Sequence, residues 1–118
     1  MDRIKTHFLY ELRKSLDKPL DGRTAELIPE IERRPQLFLG SDDVNILCLF
    51  HFLNGWQAAR FEDLGPSQAS LNERMNAFLA LKYNDFDSLS WKDLLIRHEG
   101  EDAAFGRFFE YFHMAAGR

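Results

Sequence analysis

Ile4, Phe8, Leu12 and Leu16 recur every four residues, with Leu9 beside them. That spacing keeps one face of a 3.6-residue helix apolar and predicts an amphipathic helix over 2–18. Lys14 and Lys18 suit the negative end of its dipole, and Pro19 with Asp21-Gly22 stops it. A short helix is expected over 24–34, disturbed by Pro29. Pro35 ends it, because the residue before a proline avoids helical backbone angles. Gln36 to Leu39 then read as extended, and Gly40 allows a turn that a side chain would resist.

The most apolar stretch comes next. Val44, Ile46, Leu47, Cys48, Leu49, Phe50, Phe52 and Leu53 leave almost no polar face on the helix expected at about 43–62. Apolarity all round predicts contact with neighbours on several sides. Ser41 or Asp42 would cap this helix, and Asp42 and Asp43 favour its positive end. Gly55 lies inside it and costs about 1 kcal/mol relative to alanine. A close approach by another helix, or by Trp56, is expected to offset that cost. Leu64-Gly65-Pro66 reads as a loop.

Ser70-Leu71-Asn72-Glu73 and Ser90-Trp91-Lys92-Asp93 are capping boxes, each opening a helix. The first is expected to bury Met75, Phe78, Leu79 and the stem of Lys82, the second Leu94 and Leu95. Asn84 to Ser88 form a polar break, and His98-Glu99-Gly100 ends the second helix. A last helix over about 101–115 carries Phe105, Phe108, Phe109 and Phe112 on one broad stripe. No strand alternation, hairpin signal or internal repeat stands out. The pattern therefore predicts an all-α single domain over 1–118, a bundle of five or six helices around the central apolar helix.

Composition adds a partner class. A chain of 118 residues with 45% hydrophobic content can bury a core without disulfides or metals. The net charge of -4 is uneven. Residues 1–60 hold nine basic and nine acidic side chains; residues 61–118 hold six and ten. That balance disfavours nucleic acid, whose phosphates need clustered Lys and Arg, and suits a basic protein partner. Cys48, the single cysteine, lies in an apolar run and reads as a buried, inert thiol in a reducing compartment. The first residues lack a signal-peptide apolar core, and no stretch approaches the roughly 20 apolar residues of a membrane span. A cytoplasmic protein that does not bind membranes is expected.

Candidate chemistry is sparse. His7, His51, His98 and His113 are scattered without zinc-site spacing. There is no Gly-x-Ser-x-Gly elbow, Walker lysine motif or Gly-rich fingerprint. No catalytic residue, cofactor or metal ligand is assigned. His51 reads as a core or boundary histidine, Trp56 and Trp91 as core anchors, and Arg34 as the partner of a helix carboxylate or carbonyl.

Two resemblances bear on function. Arg34-Pro35-Gln36-Leu37-Phe38-Leu39-Gly40 resembles the Arg-Pro-Gly-Met-Tyr-Ile-Gly segment of type II topoisomerase ATPase subunits. That family's Glu-x-x-x-Asn signature is matched only in spacing, by Phe50 and Asn54. Its Asp-x-Gly-x-Gly motif is missing, so ATPase activity is not expected. A broader resemblance runs through Arg34–Gly40, Phe52-Leu53-Asn54-Gly55-Trp56, Ser90-Trp91 and Glu99–Phe112. This order is similar to that of a family of small bacterial helical proteins carrying an Arg-Pro-x-[Met/Leu]-[Tyr/Phe]-[Leu/Ile]-Gly motif; Gln36 stands where Gly is common.

That resemblance implies an immunity-type protein, not an enzyme, that neutralises a cognate bacterial protein toxin by occlusion. On that reading the acidic loops would meet a basic toxin surface, which puts partner binding at Asp85, Asp87, Glu99, Glu101 and Asp102, with Asp42 and Asp43 next. The other readings are an adaptor or regulatory subunit and an enzyme with an unfamiliar site around His51 or His98. A monomer or weak homodimer is expected.

Overall fold

The computed structural model describes residues 2–40, 44–65 and 68–116, with the backbone alone for 2–8. The described chain is all-α, as expected, but with seven α-helices where five or six were expected, the short α3 being the additional one: α1 (Asp2–Asp17), α2 (Gly22–Arg33), α3 (Pro35–Leu39), α4 (Ile46–Ala59), α5 (Leu71–Tyr83), α6 (Trp91–Glu99) and α7 (Glu101–Ala116). A 3-10 turn (Phe61–Asp63) follows α4. The side chains of Ile4 and Phe8, half of the stripe predicted for α1, lie outside the described residues.

Local chemistry accounts for most boundaries. The Asp21 carboxylate accepts from the Arg23 amide at 3.3 Å and caps α2. Ser70 Oγ accepts from the Glu73 amide at 3.1 Å and Ser90 Oγ from the Asp93 amide at 3.3 Å, so the serine half of each predicted capping box forms, while the Glu73 carboxylate turns to Lys18 and the Asp93 carboxylate to Ser90 Oγ. Gly100 joins α6 to α7 at φ 89°, ψ 152°, a region open essentially to glycine alone. Its N–H donates to Ile96 O, and its own carbonyl accepts from the Ala104 amide.

Three local expectations are corrected. Arg34 leaves helical geometry at φ -137°, ψ 61°, as a residue before proline should. The segment after it is nevertheless helical. Pro35 occupies the first position of α3, where its missing N–H is not needed and its fixed φ is pre-organised. Gly40, left-handed at φ 66°, closes that turn by donating to Gln36 O at 2.9 Å.

The start of α4 is the second correction. Asn45 Oδ1 accepts from the Cys48 amide at 3.0 Å, so capping falls there and the helix begins at Ile46. Ser41, Asp42 and Asp43 lie outside the described residues.

The third correction concerns Gly55. A Cβ built there meets nothing within 4 Å beyond its own chain neighbours and helix backbone, and the residue is exposed, so no other helix approaches it. Helix α4 meets α3, α6, α7 and the 3-10 turn, burying Ile46, Leu49 and Leu53. Its outer side, with Leu47, His51, Gly55 and Ala58, faces solvent, and Cys48 is only half-buried. Gly55→Ala is accordingly expected to raise stability by about 0.5–1 kcal/mol, read as a higher urea midpoint at unchanged m-value. A lower midpoint would show that an unseen contact needs the glycine.

The core runs along α7. Phe108, Phe109, Phe112 and Tyr111 are buried against α2, α4, α5 and α6. Each buried side chain of this size contributes about 1.5–3 kcal/mol before entropy is counted. Met75 and Leu79 are fully buried, Phe78 is half-buried, and α1 docks on α5. The predicted phenylalanine stripe is therefore the core seam. No helix among the described residues is long and apolar enough to cross a membrane.

Candidate functional site

Five of the seven acidic residues singled out by the sequence, Asp85, Asp87, Glu99, Glu101 and Asp102, lie where α5 ends, α6 ends and α7 begins; Asp42 and Asp43 lie outside the described residues. Asn84 turns the chain out of α5 in left-handed conformation, and Asp85 follows it back toward α6. Asp85 Oδ2 lies 2.8 Å from His98 Nε2 and accepts from Arg97 Nη1 at 3.0 Å; Oδ1 accepts from the Asp87 amide. The side chain is only 9% exposed. His98 stacks flat on Tyr83, with ring centroids 4.1 Å apart. The hydrogen bond from His98, assisted by the Asp87 amide and Arg97, holds the Asp85 carboxyl below the ordinary aspartate range against the effect of burial.

Glu99 is the second hub. Its Oε2 accepts from the Tyr83 and Tyr111 hydroxyls, both at 2.7 Å, and Arg107 Nε lies 3.4 Å from Oε1. The two phenols, with help from Arg107 and Lys82, lower the Glu99 pKa against desolvation. Burial and the same hydrogen bonds raise both phenols, so they stay protonated donors at neutral pH. Lys82 is exposed rather than tucked against the core, with Nζ 4.7 Å from the centre of the Tyr111 ring.

Asp85 and Glu99 thus face inward and lock the end together. Asp87 is 69% exposed and shares Arg97 with Asp85 at 2.8 Å. Glu101 and Asp102 are exposed in the first turn of α7, where the positive helix end favours them. Residues 82–110 hold seven carboxylates against four Lys and Arg, which gives this end a negative field.

A second polar network was not visible in the sequence. Arg60 grips Asp21 through Nε and Nη2, each at 2.9 Å, and Thr24 Oγ1 donates to the same carboxylate at 2.9 Å. Trp56 Nε1 donates to Thr24 Oγ1 at 3.0 Å, so Trp56 is a half-buried clamp between α2 and α4. Arg60, outweighing burial, lowers the Asp21 pKa. Only the Asp21-Gly22 stop hinted at a special role here.

Asp21, Asp85 and Glu99 all have depressed folded-state pKa values. Their contribution is complete above their ordinary values of 3.8 and 4.5 and is lost as pH falls through the lower folded values. The urea midpoint is expected to hold from pH 7 to about 5 and to fall steeply below pH 4. A Glu99→Gln variant should flatten part of that fall; an unchanged profile would remove Glu99 from the account.

His51 is exposed and meets the edge of Phe50. No three His, Cys, Asp or Glu side chains among the described residues form a group able to hold a metal ion. Comparison with protein families, curated proteins and solved structures finds no match to this chain.

Proposed function

We propose that this protein is a small cytoplasmic binding protein of the immunity type, not an enzyme, which neutralises a cognate protein toxin by covering a basic surface on it. The observation that carries this reading is the α6–α7 end, where Asp87, Glu101 and Asp102 project from a scaffold pinned by Asp85 and Glu99. A backbone scaffold held in place before binding costs little ordering entropy, and its exposed carboxylates steer a cationic partner at long range.

The test uses the purified product of the neighbouring gene. Stable binding and rescue of cells expressing it are expected. Glu101→Lys with Asp102→Lys should slow association about tenfold and weaken its salt dependence, with a smaller effect on dissociation. No binding together with no rescue rejects the proposal.

A second reading, an adaptor acting through protein contact, is favoured by the outer face of α4. Residues 44–59 carry no Asp, Glu, Lys or Arg, and Leu47 is exposed on that face. A sedimentation coefficient that rises with concentration would support a homodimer of this kind; a constant monomer value would remove that form of it.

A further inference from the structure

A cleft of about 550 Å³ opens where the C-terminal end of α4 and the 3-10 turn meet the first turn of α5. It lies at the other end of α5 from the acidic face, about 20 Å away at 1.5 Å per residue, and owes nothing to the toxin reading. Its polar wall is a chain of side-chain amides whose orientation is dictated by obligate donors. Trp91 Nε1 can only donate, and it does so to Asn72 Oδ1 at 2.7 Å. Asn72 Nδ2 must then face Asn54 Oδ1, at 3.2 Å. The Asn72 backbone amide donates to Gln57 Oε1 at 2.9 Å, which turns Gln57 Nε2 onto Leu53 O and Asn72 Oδ1.

The chain ends on Asn54. Its Nδ2 keeps both protons without an acceptor among the described residues, beside the cleft that Asn54 lines. Glu73 also lines the cleft, and its carboxylate's one contact among the described residues is with Lys18 at 3.5 Å. Leu64 and Ala58 supply apolar surface, and Phe61 stands at the mouth, 77% exposed. Arg60 is the cation of this lining and is already committed to Asp21 by two bonds, so an anion finds no free partner there.

We propose that this cleft binds a neutral amide carrying an apolar side chain, the chemistry of one residue of an extended peptide. Asn54 Nδ2 donates to the ligand carbonyl, the Glu73 carboxylate accepts its N–H, and the side chain packs on Phe61 and Leu64. The volume lies within the roughly 300–1,000 Å³ of small-ligand clefts.

The test titrates ¹⁵N-labelled protein with N-acetyl-phenylalaninamide, and in parallel with 3-phenylpropionate and phenethylamine. Saturable shifts of the Asn54 and Asn72 side-chain amides are expected with the capped amide, at a Kd on the order of 1 mM. The anion and the cation should bind at least tenfold more weakly. Asn54→Asp keeps the acceptor for Asn72 but removes the donors, and should weaken binding at least tenfold. Phe61→Ala alters an exposed position and should weaken it several-fold with little change in Tm. Absence of saturable shifts, equal binding of 3-phenylpropionate, or unchanged binding by Asn54→Asp would each overturn the proposal.

Discussion

Trp91→Ala is expected to destabilise the protein by about 3–5 kcal/mol, a large part of the roughly 5–15 kcal/mol available to a domain of this size. Trp91 is fully buried and touches three helices. Phe50 of α4 meets its ring edge-on at 5.2 Å, and Phe108 of α7 lies 4.7 Å away. Its indole N–H donates to Asn72 and its backbone amide to Asn76 Oδ1, both on α5. Truncation removes the ring, leaves a cavity that α4, α6 and α7 cannot close without moving, and takes one donor from Asn72. Trp91→Phe keeps most of the apolar contact and loses the N–H, so about 1–3 kcal/mol is expected there. Urea unfolding followed by the fluorescence of Trp56 and by circular dichroism measures both. A loss below 1 kcal/mol for the alanine variant would mean that the core is not organised around this indole.

Arg74→Ala is expected to cost about 3–4 kcal/mol. The Arg74 side chain is 5% exposed, yet no carboxylate bridges it among the described residues. Nη1 instead donates to Ala115 O at 2.7 Å, and Nη2 donates to Lys18 O. These carbonyls belong to the last turn of α7 and the residue just past α1, where intrahelical donors run out and the dipole is negative. One guanidinium therefore closes two helix ends and ties both to α5.

The opposing effect is desolvation. Burial lowers the Arg74 pKa, partly offset by the charges of Glu73 and Asp17, and Nε is buried without a partner among the described residues. Two charge-assisted hydrogen bonds at about 1.5–3 kcal/mol each outweigh that penalty. Arg74→Met separates the terms, because it keeps the stem and removes the charge. It should still cost about 2 kcal/mol and raise amide exchange at the C-terminal ends of α1 and α7. A methionine variant as stable as the parent would show that desolvation wins.

The helices were legible where their causes are local. Ser70 and Ser90 cap through a neighbour three residues on, and Phe108, Phe109 and Phe112 form a seam by their spacing alone. Pro35 was legible as a break but not as a beginning, because the same fixed φ that ends α2 also starts α3. The exposure of Gly55 was hidden, since an all-apolar helix does not say which of its sides lacks a neighbour.

The acidic end was legible as composition and not as geometry. Nothing in the chain distinguishes Asp85 from Asp87 or Glu99 from Glu101. Folding sets Asp85 against His98 and Arg97, and Glu99 against two phenols, leaving Asp87, Glu101 and Asp102 outward. The amide chain of the cleft was missed because Asn54 and Asn72 are 18 residues apart and Trp91 lies 19 further on.

Periodicity, caps and breakers act within a turn or two, so the order of the residues was enough to determine the helices and the apolar seam they share. Exposure and polar pairing depend on side chains brought together from distant segments. Which face of α4 stayed open, which carboxylates turned inward and where Arg74 found its acceptors were therefore decided only when the helices packed.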